Sequence, residues 1–299
     1  MNRISGFLDL NEIDSFLIEN SVYSNDHYWV EINNEEYYYK ITNFPYHEVV
    51  CSELGKQMGL DIAEYDLATY RGNFGVISKS YHKPRAEYIP GYEVLYNYWK
   101  SSKKIVRDMG LKRIDWRKTF IGPEYVYMNN LETIWQALEY LYGNKYPKDQ
   151  IFACFFSIVE EFIFCILTGQ YDKSSHNWEL EITKDKMVKV PIYDNEASFP
   201  SEEHKVTFSV GMKDSLHNMS EVLHNFLRYS SSEYIELFLE MYNKSSREVF
   251  DGVIASIERQ TQCEIPLRVK EELVDNYETN RQIIQGVLVE LNLIDQLEK

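Results

Sequence analysis

TGQYDKSSHNWELEITKDKMVKVPIYDNEASF, running from Thr168 to Phe199, is the stretch around which the chain is organised. An apolar, helix-like run ends where it begins, and a loop follows that carries Asp172, His176 and Asn177. A short hairpin-like segment then leads to Val190-Pro191-Ile192-Tyr193-Asp194. Two acids and an amide are thus delivered at the ends of strands or helices, one hairpin apart. Asp and Asn in such places commonly cap helices and turns, because a short side-chain oxygen satisfies a free backbone N–H. The same set suits phosphoryl transfer, which needs one carboxylate beside the attacking hydroxyl. An amide and a second carboxylate then serve as hard oxygen donors for Mg²⁺. The rest of the chain decides between the two.

With 299 residues the chain can bury a large core in one big domain or two lobes. A net charge of -16, spread along the chain, argues against a broad nucleic-acid surface and disfavours an anionic membrane, since phosphate would be repelled. Tyrosine is abundant, with 24 copies, many placed where a ring can be half-buried. Cys51, Cys154, Cys165 and Cys263 lie far apart in apolar segments without CxxC spacing, which reads as buried free thiols in a reducing compartment. The opening MNRISGFLDLNEIDSF has no apolar core and gains acids early, so no signal peptide is expected. The longest apolar run, Ile151 to Leu167, is interrupted by Ser157, Glu160 and Glu161 and reads as a buried helix, not a membrane span. A cytoplasmic protein is the expectation.

Residues 1–45 read as β-rich, with strands at Asp26 to Ile32 and Glu36 to Ile41 flanking the turn Asn33-Asn34-Glu35. Val49, Val50, Leu54 and Met58 mark an amphipathic helix that Gly59 ends. Two further strands are expected at Ala63 to Tyr70 and Phe74 to Ser80, after which the chain becomes mostly helical. Residues 86–130 resist assignment, with Gly91, Gly110 and Gly122 breaking short segments. Helices are predicted over 131–142, 148–167, 216–229, 232–243, 245–261 and 266–297. The expectation is an α+β, two-lobed protein-kinase-like fold. Residues 1–83 would form a small β-rich N-lobe with one helix, and residues 84–299 a larger, mostly helical C-lobe.

A kinase-like lobe carries a strand lysine that meets nucleotide phosphates and pairs with a glutamate on the next helix. Lys40 and Glu48 stand in those two places. Each has an ordinary alternative, Lys40 as an exposed strand end and Glu48 as a first-turn acid favoured by the helix dipole. Their order with Asp172, Asn177 and Asp194 is what joins them into one centre.

On these residues the chain resembles the HipA-like serine/threonine kinases, the family of bacterial toxin kinases and their relatives. Glu48-Val-Val-Cys-Ser-Glu-Leu-Gly-Lys-Gln-Met-Gly-Leu60 is similar to the family's first-lobe helix. Leu167-Thr-Gly-Gln-Tyr-Asp172-Lys-Ser-Ser-His-Asn177-Trp resembles its catalytic loop, and Val190-Pro-Ile-Tyr-Asp194 with Ala197-Ser198-Phe199 its metal-binding segment. The likeness covers about residues 20–81 and 150–200 and implies a compact member without the N-terminal segment of the larger toxin kinases. It implies Asp172 as the general base, Asn177 and Asp194 as Mg²⁺ ligands, and Lys40, oriented by Glu48, on the α/β-phosphates of ATP. Ser78, Lys79, Ser80 and Tyr81 would present backbone groups to adenine, with Tyr81 packed nearby. The segment Glu19 to Asp26 would cover the phosphates, with Ser21 or Ser24 as the autophosphorylated residue.

The chain departs from the family pattern in several places. Ser174 stands where the family has His, with His176 two residues later as a structural substitute or the loop rebuilt, the covering loop has no glycine, and Asn195 stands in place of glycine after Asp194. The leading expectation is an ATP- and Mg²⁺-dependent serine/threonine protein kinase acting on a protein substrate. A pseudokinase scaffold that binds nucleotide weakly or only a protein partner is the alternative, and a small-molecule kinase a further one. Trp178 reads as a core anchor, and His204, His217 and His224 share no metal spacing. The basic stretch Lys100 to Arg117 reads as a solvated helical face or as a docking patch for an acidic protein partner.

Overall fold

In the computed structural model, residues 3–11, 13, 16–17, 27–101, 129–208 and 218–293 are described. The N-terminal part is built on strands: β1 (Arg3–Ile4), β2 (Phe7–Asp9), β3 (Phe16–Leu17), β4 (His27–Ile32), β5 (Glu35–Ile41), β6 (Tyr65–Tyr70) and β7 (Asn73–Lys79). They form one sheet in the order β1-β2-β6-β7-β5-β4-β3, antiparallel except for the parallel β2–β6 pair. Asn33 and Asn34 turn the β4–β5 hairpin with φ of 55° and 62°, the left-handed conformation that asparagine tolerates. Helix α1 (Pro45–Met58) starts on proline, where no N–H is needed, and ends at Gly59 with φ 86°.

Alternation along β5 and β7 sorts this sheet into two faces. Tyr39 and Ile77 bury themselves with Leu10, Val30 and Ala68 on one face. Lys40 and its partner Val76 point to the other, where Val49, Val50 and Leu54 of α1 pack. Gly75 is obligatory for this approach, since a Cβ there would stand 2.1 Å from the Lys40 carbonyl oxygen.

The second part opens with β8 (Glu87–Pro90) and α2 (Gly91–Ser101). Gly91 does not break the segment, as the sequence suggests, but joins strand to helix. A Cβ there would lie 2.1 Å from Trp178 Cε2, so the indole requires glycine. Helices α3 (Leu131–Tyr142) and α4 (Lys148–Thr168) follow, then the hairpin β9 (Glu179–Ile182) and β10 (Met187–Lys189). β8, β9 and β10 make a second sheet. Among the described residues four helices follow: α5 (Met219–Tyr229), α6 (Ser232–Lys244), α7 (Arg247–Thr261) and α8 (Leu267–Glu290). Their borders fall close to the predicted ones. The last ends at Glu290 instead of 297, and residues 294–299 lie outside the described ones.

Among the described residues, α4 is the one helix long and apolar enough to cross a membrane, and 72% of its most apolar stretch is buried inside the protein. It fills the core of the helical part, and Trp178 at 3% exposure packs in the same cluster. The thiols of Cys51, Cys154 and Cys165 are free and buried, whereas Cys263 is only half-buried.

The two parts are stitched together beside the C-terminal end of α1. Ala63 N–H donates to the Ile192 carbonyl and Ile192 N–H to the Asp61 carbonyl, both at 2.8 Å. This fixes residues 190–194 against the β-rich part. Asp194 is two residues beyond the stitch.

Candidate active site

Lys40 is 7% exposed and Glu48, in the first turn of α1, is wholly buried. The ammonium lies 3.1 Å from Glu48 Oε1, and Oε2 accepts the Asn195 backbone N–H at 2.8 Å. One carboxylate thereby ties the sheet lysine to the segment carrying Asp194. Lys40 also lies 2.5 Å from Asp194 Oδ1 and 3.1 Å from Glu196 Oε2. Thr42 Oγ1 orients Glu196 by donating to the same Oε2 at 2.7 Å.

The loop after α4 meets this cluster from the other side. Gly169, with φ 69°, caps the helix and turns the chain, and Gln170 Nε2 donates to the Asp194 carbonyl at 2.8 Å. Asp194 itself has φ 60°, a conformation Asp adopts more readily than most residues. Its Oδ2 accepts a hydrogen bond from Asn177 Nδ2. The Asn177 amide oxygen accepts from Ser174 N–H at 3.0 Å and Ser174 Oγ at 2.9 Å. Ser174, in the place of the family's His, thus orients the amide, and its Oγ in turn accepts the His176 backbone N–H at 3.2 Å.

Charge in this cleft is unbalanced. Glu48, Asp194 and Glu196 contact one ammonium, and Asp172 is close enough to feel Asp194 and Glu196. Burial alone would lower Lys40, but Glu48, Asp194 and Glu196 outweigh it and hold the ammonium protonated far above its usual range. Burial would raise Asp194, yet Lys40 keeps its carboxyl below the ordinary value. Burial pushes Glu48 above the ordinary carboxylate value against the pull of Lys40, with Asp194 adding to the rise. The exposed Asp172 carboxyl is raised by partial burial and then by Asp194 and Glu196.

Among the described residues no three His, Cys, Asp or Glu side chains form a ready-made metal cage. Mg²⁺ seldom asks for one, since it takes one or two protein carboxylates and completes its shell with phosphate oxygens and water. Asp194, with its side chain 34% exposed, and the neighbouring Asn177 amide offer that kind of set in a region of excess negative charge. The donors fit the ion. Ligation by the amide oxygen requires the Asn177 side chain to turn over and give up its Ser174 contacts.

The structure therefore brings Lys40, Glu48, Asn177 and Asp194 into contact and Asp172 beside them. Other expected site residues lie differently. Lys79 projects with Ile77 to the face opposite Lys40, stands exposed and pairs with Glu35 at 2.5 Å, so its side chain is outside the cleft. Ser78 is buried on the Lys40 face. Several backbone groups expected to meet adenine already have partners: Lys79 O accepts Ser78 Oγ, Ser80 N–H donates to Glu36 O, and Tyr81 O accepts Tyr88 Oη. The Tyr81 ring stacks on Tyr193 at 5.9 Å, next to Asp194. The His176 ring stacks on Tyr92 at 4.6 Å, and burial lowers its pKa. Ser21, Ser24 and their loop lie outside the described residues, as does the basic stretch beyond Ser101. Lys100, at its start, is exposed near the Tyr96 ring.

Sequence reading missed Glu196, whose only signal was an acid two residues after Asp194. It also missed Lys173, read merely as the residue between Asp172 and Ser174.

No protein-family model and no curated protein sequence matches the chain. Among solved structures it is similar to the crystal structure of the proinflammatory kinase CtkA of Helicobacter pylori. The TM-score is 0.68 at 15% identity, covering 95% of this chain and 99% of that one. It is also similar to HipA of Shewanella oneidensis MR-1, in a toxin–antitoxin complex with HipB and operator DNA. Here the TM-score is 0.50 at 13% identity, covering 96% of this chain and 68% of that one. At these identities the likeness is one of fold: the chain has the two-lobed α+β architecture of kinases of the HipA type.

Proposed function

We propose that the chain is a phosphotransferase of the serine/threonine kinase type, moving the γ-phosphoryl group of ATP to a hydroxyl of a protein substrate. What supports this most is one contact set. Lys40 of the sheet and Asp194 of the helical part meet at 2.5 Å, with Glu48 on the lysine and Asn177 on the other Asp194 oxygen. These are the four partners a nucleotide-phosphate site requires, converging from both lobes.

In this reading Asp172 receives the substrate O–H. Burial, Asp194 and Glu196 raise its pKa, which makes it a better proton acceptor than an ordinary aspartate. The hydroxyl oxygen forms a bond to the γ-phosphorus, the bond to the ADP oxygen breaks, and the hydroxyl proton passes to Asp172. Lys40 supplies positive charge to the phosphates, and buried Glu48 keeps its ammonium in place. Asn177 and Asp194 would hold Mg²⁺, which when bound neutralises charge on the phosphate oxygens. Preorganised charge, not covalent chemistry, does most of this work.

The test is a thermal-shift titration with ATP and Mg²⁺, followed by intact-mass measurement and labelling of a serine/threonine peptide library. A shift with phosphate on protein or peptide is expected. A shift without transfer to any hydroxyl, or no shift at all, would leave a scaffold in place of an enzyme.

A further inference from the structure

Beneath the cleft lies a second ion cluster that the proposed chemistry does not use. Glu161 stands in the middle of α4, 3% exposed, among Ile158, Phe162 and Cys165. Its two oxygens face different lysines, Oε1 at 2.8 Å from Lys173 Nζ and Oε2 at 2.6 Å from Lys189 Nζ. Both lysines are buried. Burial opposes the charges of Glu161 and Lys173, and the ion contacts outweigh it: Glu161 is held low and Lys173 high.

The elements these groups occupy give the cluster its meaning. Lys173 follows Asp172 in the loop, and Lys189 ends β10, where its ammonium donates to the Val190 carbonyl at 2.9 Å. The Lys173 ammonium also donates to the carbonyl of Tyr193, the residue before Asp194, and lies 5.3 Å from the centre of the Tyr193 ring. The Asp172 loop and the Asp194 segment are therefore both moored to one carboxylate on the most rigid kind of support, a buried helix. The surplus positive charge of the triad lies on the side of Asp194, where the cleft carries surplus negative charge.

We propose that Lys173, Glu161 and Lys189 form a positioning bracket that sets the distance between the Asp172 loop and the Asp194 segment. The inference rests on the phosphotransferase reading of those two carboxylates. The bracket touches neither nucleotide nor hydroxyl; it acts through the loops it joins, where a small displacement of a reacting group is costly.

Lys173→Met is the informative variant, because it leaves Glu161 and Lys189 as a balanced pair and so strands no buried charge. Expected is a cooperative melt, a kcat reduced about tenfold to a hundredfold and an unchanged KM for ATP. Backbone hydrogen exchange in nucleotide-free protein should accelerate in residues 169–178 and 190–199 and stay unchanged in α4. Lys173→Arg should recover part of kcat. If Lys173→Met fails to fold, the triple variant Lys173→Met/Glu161→Gln/Lys189→Met, which removes every charge of the cluster at similar volume, carries the same readouts. Unchanged exchange in both segments overturns the bracket whatever the activity, and faster exchange with wild-type kcat reduces it to structural support. Wild-type protein that transfers no phosphate refutes the phosphotransferase reading by itself.

Discussion

Two ion clusters lie on either side of the loop that follows α4, and they are built on opposite plans. At Lys40 one ammonium meets three carboxylates, and the side chains of Asp194 and Glu196 are 34% and 37% exposed. At Glu161 one carboxylate meets two ammonium groups, and no side chain exceeds 6% exposure. The sealed cluster pairs both its lysines with one carboxylate away from solvent and so holds elements together. The open one carries surplus negative charge facing solvent, which a cation and a phosphate-bearing ligand can complete. Charge that is unbalanced and accessible points to chemistry, while buried, mutually paired charge points to architecture.

The sharpest way to break this comparison is to remove a carboxylate from each. Asp172→Asn should lower phosphate transfer by about 10²–10⁴-fold while leaving the melt unchanged. Asp194→Asn should abolish Mg²⁺-dependent transfer. Full activity in both would show that the open cluster is not the reaction centre. Glu161→Gln should instead act on the fold, since it leaves two buried ammonium groups on a neutral amide, a loss of about 3–5 kcal/mol in chemical denaturation. A variant as stable as wild type would mean that the sealed cluster is not sealed.

His47 sharpens the comparison through pH. Its ring packs between Phe44 and Phe199, at 5.1 and 6.2 Å, and burial lowers its pKa to about 4. The unfolded chain binds that proton near 6.5, so between these values the unfolded state holds more protons and stability falls as pH falls. Up to about 3 kcal/mol should be lost across this window in denaturation curves, and His47→Phe should flatten the slope. The smallest effect is expected at Glu196→Gln, under about 1 kcal/mol in stability because the side chain is partly solvated. Its signature is in the pH–rate profile. Asp172 is raised by burial, Asp194 and Glu196, so removing one neighbour lowers its pKa and moves the acid limb of kcat/KM to lower pH. An unmoved limb would separate Glu196 from Asp172.

Much of the fold was legible in the chain because its signals are local. The β4–β5 hairpin follows from two asparagines between alternating strands, and α1 from its apolar spacing and the glycine that ends it. Lys40 and Glu48 could be paired on paper because only eight residues separate them, strand to the next helix. Lys79 was expected to offer only backbone groups; strand alternation sends its side chain to the face opposite that of Ser78.

The sequence by itself determined the β4–β5 hairpin, α1 and most of the later helices, and that acids and an amide stand in the order a phosphate site needs. Only the tertiary structure decided which charges meet. Asp194 and Glu196 reach Lys40 from about the middle of the chain's length away, and Lys173 and Lys189 find Glu161 through a loop and a hairpin. Periodicity records whether a side chain is turned inward; it carries no record of the partner waiting there. That partner is set by long-range packing, and at Thr168 to Phe199 it turns a row of ordinary capping residues into two clusters of opposite charge.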